Sequence, residues 1–216
     1  MKYTFFAFFL LPCLLSSQTI SVRYEMSLQP GKTVEQLSPT MVLQLKNIVI
    51  NYTYRFSENK SEYIFGGQRL KNPKVPPLYI NRQVGVNIYK DLNNSSLYKD
   101  FKDMPEIVSK EFLPEWKWTI EPDSNKVMLD YWVRRAHAVD QQGHSVAVWF
   151  AQELAIPDGP GEFSGLRGLI LQVEHEDYVV KATSITIDKE QKSDIQMPEA
   201  EAYLTPEEFK ERTKQK

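Results

Sequence analysis

Cysteine is almost missing from this chain: Cys13 is the only one in 216 residues. No disulfide can form within the chain, so the fold has to hold by burial. An excess of basic charge is also lacking, since 26 Lys and Arg stand against 28 Asp and Glu, for a formal charge of −2. That balance leaves no basic stripe and argues against a nucleic-acid partner. Lys210, Arg212, Lys214 and Lys216 are interleaved with Glu207, Glu208 and Glu211 and read as a solvated helix end. Long apolar runs are equally scarce. Only residues 3–15 are apolar almost throughout, and a membrane-spanning helix needs about 20.

That one run carries the order of a targeting segment. Lys2 supplies charge, the apolar block follows, and Ser16 and Ser17 are small residues suited to cleavage. The pattern predicts a signal peptide over 1–17, processed near Gln18. Pro12 makes a poor neighbour for a lipidated Cys13, and processing near Gln18 removes that cysteine. The remainder then has no transmembrane segment and is one charge more acidic. It is expected outside the cytoplasm, whether periplasmic, outer-membrane-associated or extracellular. It divides into a β domain over 18–204 and a helix with its tail over 205–216.

What the sequence does have is aromatic residues, with 11 Tyr, 11 Phe and 4 Trp, and a strong two-residue alternation. Aromatic side chains sit well on a pleated surface. Val22, Tyr24, Met26 and Leu28 alternate with polar residues, as do Ile48, Ile50, Tyr52, Tyr54 and Phe56. Residues 63–65 answer the second run across a turn at 57–61, and Gly66-Gly67 is expected to end it. Short strands are predicted at 78–80 and 86–89, and 106–112 reads as strand. Segments 116–120, 126–139 and 145–151 read as a meander, turning at Pro122–Asn125 and at Gln141-Gln142-Gly143. A last pair is expected over 168–173 and 178–187. Thr205, Pro206 and Glu208 spell a capped helix start. The fold class is therefore mainly β: a single domain, a curved antiparallel sheet or open half-barrel, and a short C-terminal helix.

Residues 116–174 carry a resemblance. Gly165-Leu166-Arg167-Gly168-Leu169-Ile170 follows Gly159-Pro160 and Phe163. Upstream stand Trp116-Lys117-Trp118-Thr119-Ile120, Lys126-Val127, Tyr131, Arg135-Ala136 and Val148-Trp149-Phe150. In that combination the chain resembles the GLPGLI family of exported Bacteroidota proteins. Arg167 stands where the family has proline, and Val133 where many members have cysteine. The resemblance implies an exported β-rich protein and adds no chemistry. By its residues, the hexapeptide reads as a tight turn delivering a strand into the core. Its glycines permit positive φ, and Leu166, Leu169 and Ile170 require burial.

Chemical motifs are weak. Gly161-Glu162-Phe163-Ser164-Gly165 sets its serine one place late for a nucleophile elbow. His137 and His144 flank one turn, and Glu174-His175-Glu176-Asp177 falls on another, so no metal site or cofactor is assigned. Trp116, Trp118, Trp132 and Trp149 are the strongest set, with Tyr131 and Arg135 as polar guides. A curved sheet would gather them into an apolar ligand pocket. The sequence therefore favours a ligand-binding or protein-interaction domain of the cell envelope, without catalysis. Its partner would be an apolar small molecule or an envelope protein. The alternatives are a hydrolase with an acidic or His-containing cleft, and a structural component of a surface assembly.

Overall fold

The computed structural model describes residues 19–29, 37–76, 85–101, 104–189 and 194–214. The signal-peptide expectation and the strand predicted at 78–80 lie outside these residues. In chain order the elements are β1 (Thr19–Leu28), α1 (Pro39–Asn47), β2 (Ile48–Ser57) and β3 (Lys60–Leu70). There follow β4 (Val86–Asp91), β5 (Ser96–Phe101), β6 (Met104–Phe112), β7 (Thr119–Met128) and β8 (Tyr131–Val139). The last are β9 (Ser145–Ala151), β10 (Leu169–Glu174), β11 (Tyr178–Asp188) and α2 (Pro206–Lys214).

The strands form one antiparallel sheet in the order β6-β5-β4-β3-β2-β1-β11-β10-β9-β8-β7. Two meanders, β1 to β6 and β7 to β11, meet where β1 pairs β11. The sheet is not closed, and β6 and β7 are its edges. Register fixes what faces inward, because residues directly opposite each other share a face. One row runs Val22, Tyr54, Tyr63, Ile88, Lys99 and Ser109. The row beside it runs Ile20, Phe56, Ser61, Lys90, Leu97 and Glu111.

That face is concave. Phe101 and Ser109, at the β6 end, border the same cavity as Val146 of β9. Eight strand intervals separate β6 from β9, roughly 38 Å in a flat sheet at the usual spacing. Only a strongly curved sheet puts both on one cavity. Among the described residues no second sheet covers the hollow; the β9–β10 connection, residues 152–168, fills it. Its Leu154, Ile156, Phe163 and Leu166 are buried with Tyr24, Tyr54 and Ile170 in the main core.

Several elements differ from the sequence reading. β3 continues through Gly66-Gly67, because Gly67 at φ +114 takes up a bulge opposite Asn51 and Tyr52. The turn of the β7–β8 hairpin is Leu129-Asp130, both at positive φ, inside the stretch expected to be one strand. Pro122–Asn125 forms the irregular middle of β7 instead, which an edge strand tolerates. Trp116 and Trp118 precede β7 rather than lying in it. β5 and α1 were not anticipated, although Ser38 caps α1 through Met41 N and Pro39 takes the first turn, a recognisable start. The C-terminal helix forms as expected. Thr205 N donates to Glu208 and Glu208 N donates to the Thr205 hydroxyl.

The hexapeptide takes the turn role. Leu166, Leu169 and Ile170 are buried and Arg167 is exposed. Gly168 N donates to Leu166 O at 2.9 Å, a three-residue turn centred on Arg167. Arg167 has negative φ, so the turn is of the inverse γ kind, with a central φ near −75°. Proline fits that φ. Gly168 has φ +151, and a Cβ there would run into the Ala151 carbonyl.

Candidate functional site

Two polar constellations occupy the concave side. The first is buried and fixes the filling segment. Lys90 and Asp158 are an ion pair with both side chains at 0% exposure. Lys90 also donates to Gly159 O at 2.8 Å and Phe163 O at 3.2 Å. Tyr54 OH donates to Asp158 Oδ2 at 2.9 Å, and Tyr24 OH donates to Ile170 O at 2.6 Å. Burial lowers the Lys90 pKa and raises those of Tyr24 and Tyr54, with Asp158 adding to both tyrosine shifts. Four polar groups from β1, β2, β4 and the loop are thus satisfied inside an aromatic core. Gly159 fits because any side chain there would meet Ile170 Cβ at 2.6 Å.

The second constellation is open. A cleft of about 790 Å³ lies at one end of the concave face. Lys99, Phe101, Ser109 and Glu111 of β5 and β6 form one wall. The opposite wall is the tips of two turns, with Asp140 and His144 from β8–β9, and His175, Asp177 and Tyr178 from β10–β11. Trp116, Glu162 and Phe163 also line it, as do Phe209 and Lys210 of α2. Lys99 Nζ stands 2.6 Å from Glu111 Oε1 and 3.6 Å from Glu162 Oε2.

Asp140 organises the turn wall. One carboxylate oxygen, Oδ1, accepts from the backbone N–H groups of Gln142 and His144, both at 2.8 Å. The other, Oδ2, lies 3.0 Å from His144 Nδ1 and 3.5 Å from His175 Nε2. The hydrogen bond that His144 Nδ1–H gives to Asp140 raises the His144 pKa. Desolvation pushes the Asp140 carboxyl up, but hydrogen bonds from His144 and Gln142 outweigh it and hold the carboxyl low. His175 stacks on Tyr178 with ring centroids 4.7 Å apart.

The tryptophans do not share one pocket. Trp116 and Trp118 stack with centroids 5.2 Å apart and donate to Glu162 O and Ser164 O, pinning the rim of the filling segment. Trp149 lies on the convex side, where Lys126 sits 3.9 Å over its ring and Glu174 accepts from its Nε1. Arg135 joins that group through Glu121 and Glu174. Trp132 is 62% exposed, and Tyr131 packs half-buried against the core. Register explains the split: Trp149 pairs Arg135, whereas Trp132 is one residue out of phase. Of the predicted site residues only Trp116 lines the cleft. His137, expected near His144, instead faces Glu121 at 3.4 Å.

Sequence reasoning missed Lys90, Asp158 and the meeting of His144 with His175. The Val86, Ile88, Lys90 alternation does place a lysine at an inward position, which is a signal for the first.

Solved structures of PNGF-II, in two crystal forms, share this fold. One covers 91% of this chain and 33% of its own at a TM-score of 0.60 and 13% identity. The other covers 90% and 32%, at 0.56 and 14%. This chain therefore spans about a third of the length of that protein. No family model matches the sequence, and no curated protein matches it.

Proposed function

We propose that the chain is an exported cell-envelope protein, of the kind its GLPGLI-like residues suggest, and that it binds a small ligand in the cleft without catalysing its conversion. The single observation behind this reading is the cleft itself. Its size falls in the range of small-molecule sites, about 300–1,000 Å³. It is built on strands and turns beside a filling segment that the Lys90–Asp158 pair anchors to β4. Its lining mixes charged groups with Trp116, Phe163 and Tyr178. That chemistry suits a polar ligand with one flat apolar face, rather than the apolar ligand expected from four gathered tryptophans. The hydrolase alternative has the Asp140–His144 contact in its favour. Among the described residues, neither imidazole of the cleft hydrogen-bonds a serine, threonine or cysteine that would serve as nucleophile.

The test is a thermal-shift screen of the mature chain against sugars, amino acids and small carboxylic acids. A ligand should raise the midpoint of the wild type and lose its effect in Trp116→Ala and Glu111→Gln. If no compound shifts the wild type, or if both variants respond unchanged, the cleft is not the binding site.

A further inference from the structure

We propose that Asp140, His144 and His175 bind a divalent first-row transition metal of the zinc class, with an open coordination position towards the cleft. The three ligating atoms lie within 4.8 Å of one another. Two of the separations, 3.0 and 3.5 Å from Asp140 Oδ2, bracket the roughly 3.4 Å between neighbouring ligands of a tetrahedral zinc with bonds of about 2.0–2.1 Å. Two imidazoles and one carboxylate form a donor set zinc uses with one position left to water or ligand.

The surroundings carry the proposal beyond proximity. A histidine that ligates a metal turns its other ring nitrogen to a carboxylate, carbonyl or water, which fixes the ring. His144 does so here, and His175 has a carboxylate 3.9 Å from its outer ring nitrogen. His144 presents Nδ1 to Asp140 and Nε2 to Glu176 Oε1 at 3.2 Å. His175 presents Nε2 to Asp140 and Nδ1 to Asp177 Oδ2 at 3.9 Å. Asp140 is itself held, since the two backbone N–H groups on Oδ1 aim Oδ2 at the rings. Side-chain exposures of 10% for His175 and 12% for Asp140 keep these two ligands fixed.

On loading, each histidine binds through the nitrogen nearest Asp140, any proton there leaves to solvent, and the neutral ring carries its one proton on the other nitrogen. For His144 that proton goes to Glu176. For His175 it sits on Nδ1, which accepts from Asp177 N–H in this structure. That contact has to give way to the Asp177 carboxylate, a small change in a turn whose residues 176 and 177 are exposed.

The experiment is calorimetric titration of tag-free, chelator-treated protein with Zn²⁺, and visible spectroscopy with Co²⁺. One ion per chain is expected, with tetrahedral Co²⁺ bands, and no binding of Ca²⁺ or Mg²⁺, which prefer all-oxygen sites. His144→Ala should abolish binding, and Glu176→Gln should weaken it about 10–100-fold. Both changes lie on the exposed turns and should leave the melting curve intact. His175→Ala removes a stacked ring, so its folding has to be checked by circular dichroism. The assay does not depend on the ligand-binding proposal, because metal heat can appear where no compound of the screen binds. Absence of Zn²⁺ and Co²⁺ binding, or binding that survives His144→Ala, overturns the proposal.

Discussion

Lys90→Met is the most informative single change. In the native chain the ammonium meets Asp158 and two loop carbonyls, with no water contact. Methionine fills a similar volume but leaves the Asp158 carboxylate with the Tyr54 hydroxyl alone. Removing one partner of a buried pair costs about 3–5 kcal/mol, because the surviving charge is stranded in low dielectric. For a domain of this length each kcal/mol moves the midpoint by about 2–4 °C, so a drop of roughly 6–20 °C is expected. Urea unfolding measures the same loss. Lys90→Met with Asp158→Asn should recover most of it, since Asn still accepts from Tyr54 and no charge remains. Limited proteolysis should cut the single variant within 157–165. A Lys90→Met protein that melts within about 1 kcal/mol of wild type would refute the reasoning, as would a double variant as unstable as the sum of its singles.

Alkaline pH should unfold the chain. Tyr24, Tyr52, Tyr54, Tyr63, Tyr89 and Tyr178 all have pKa values raised above 10.0 by burial, that of Tyr52 to about 12. Their stabilisation is fully present below pH 10 and is lost as pH rises towards the folded values; Lys90, lowered, acts in the opposite sense but is one group. Denaturant midpoints at pH 9 and 11, followed with tyrosinate absorbance, check this, and equal midpoints would contradict it. In the hexapeptide, Leu169→Ala should cost about 2–5 kcal/mol and Gly168→Ala about 1–3 kcal/mol. Arg167→Pro should be neutral or stabilising by up to about 1 kcal/mol. Denaturant melts of the three variants decide it; a Gly168→Ala protein as stable as wild type would show that the turn has another conformation.

The β class was legible because nearly every strand keeps a two-residue alternation, and burial enforces it. Register was not. The β7–β8 turn was misplaced because Pro122-Asp123-Ser124-Asn125 has stronger turn chemistry than Leu129-Asp130, yet the inward positions of β8 fit only the later turn. The tryptophan set failed for a related reason. Trp132 and Trp149 lie on adjacent strands, but a difference of one residue in phase sends them to opposite faces. Burial of Lys90 depends on a segment some 70 residues away, and nothing near Lys90 announces it.

The histidine cluster was more nearly within reach. His144 and His175 are on different turns, and on that ground the sequence reading kept them apart. In an antiparallel meander, however, successive turns alternate between the two ends of the sheet. The β8–β9 and β10–β11 turns must then share one end, with the β9–β10 connection at the other. That long connection leaves the far end, crosses the hollow and is anchored to Lys90. Within β7 to β11 the near end carries two short turns, whose tips hold Asp140, His144 and His175. One element thus separates the two jobs: the filling segment enters from the far end and stabilises the interior, and the imidazoles stand on the turns of the other end.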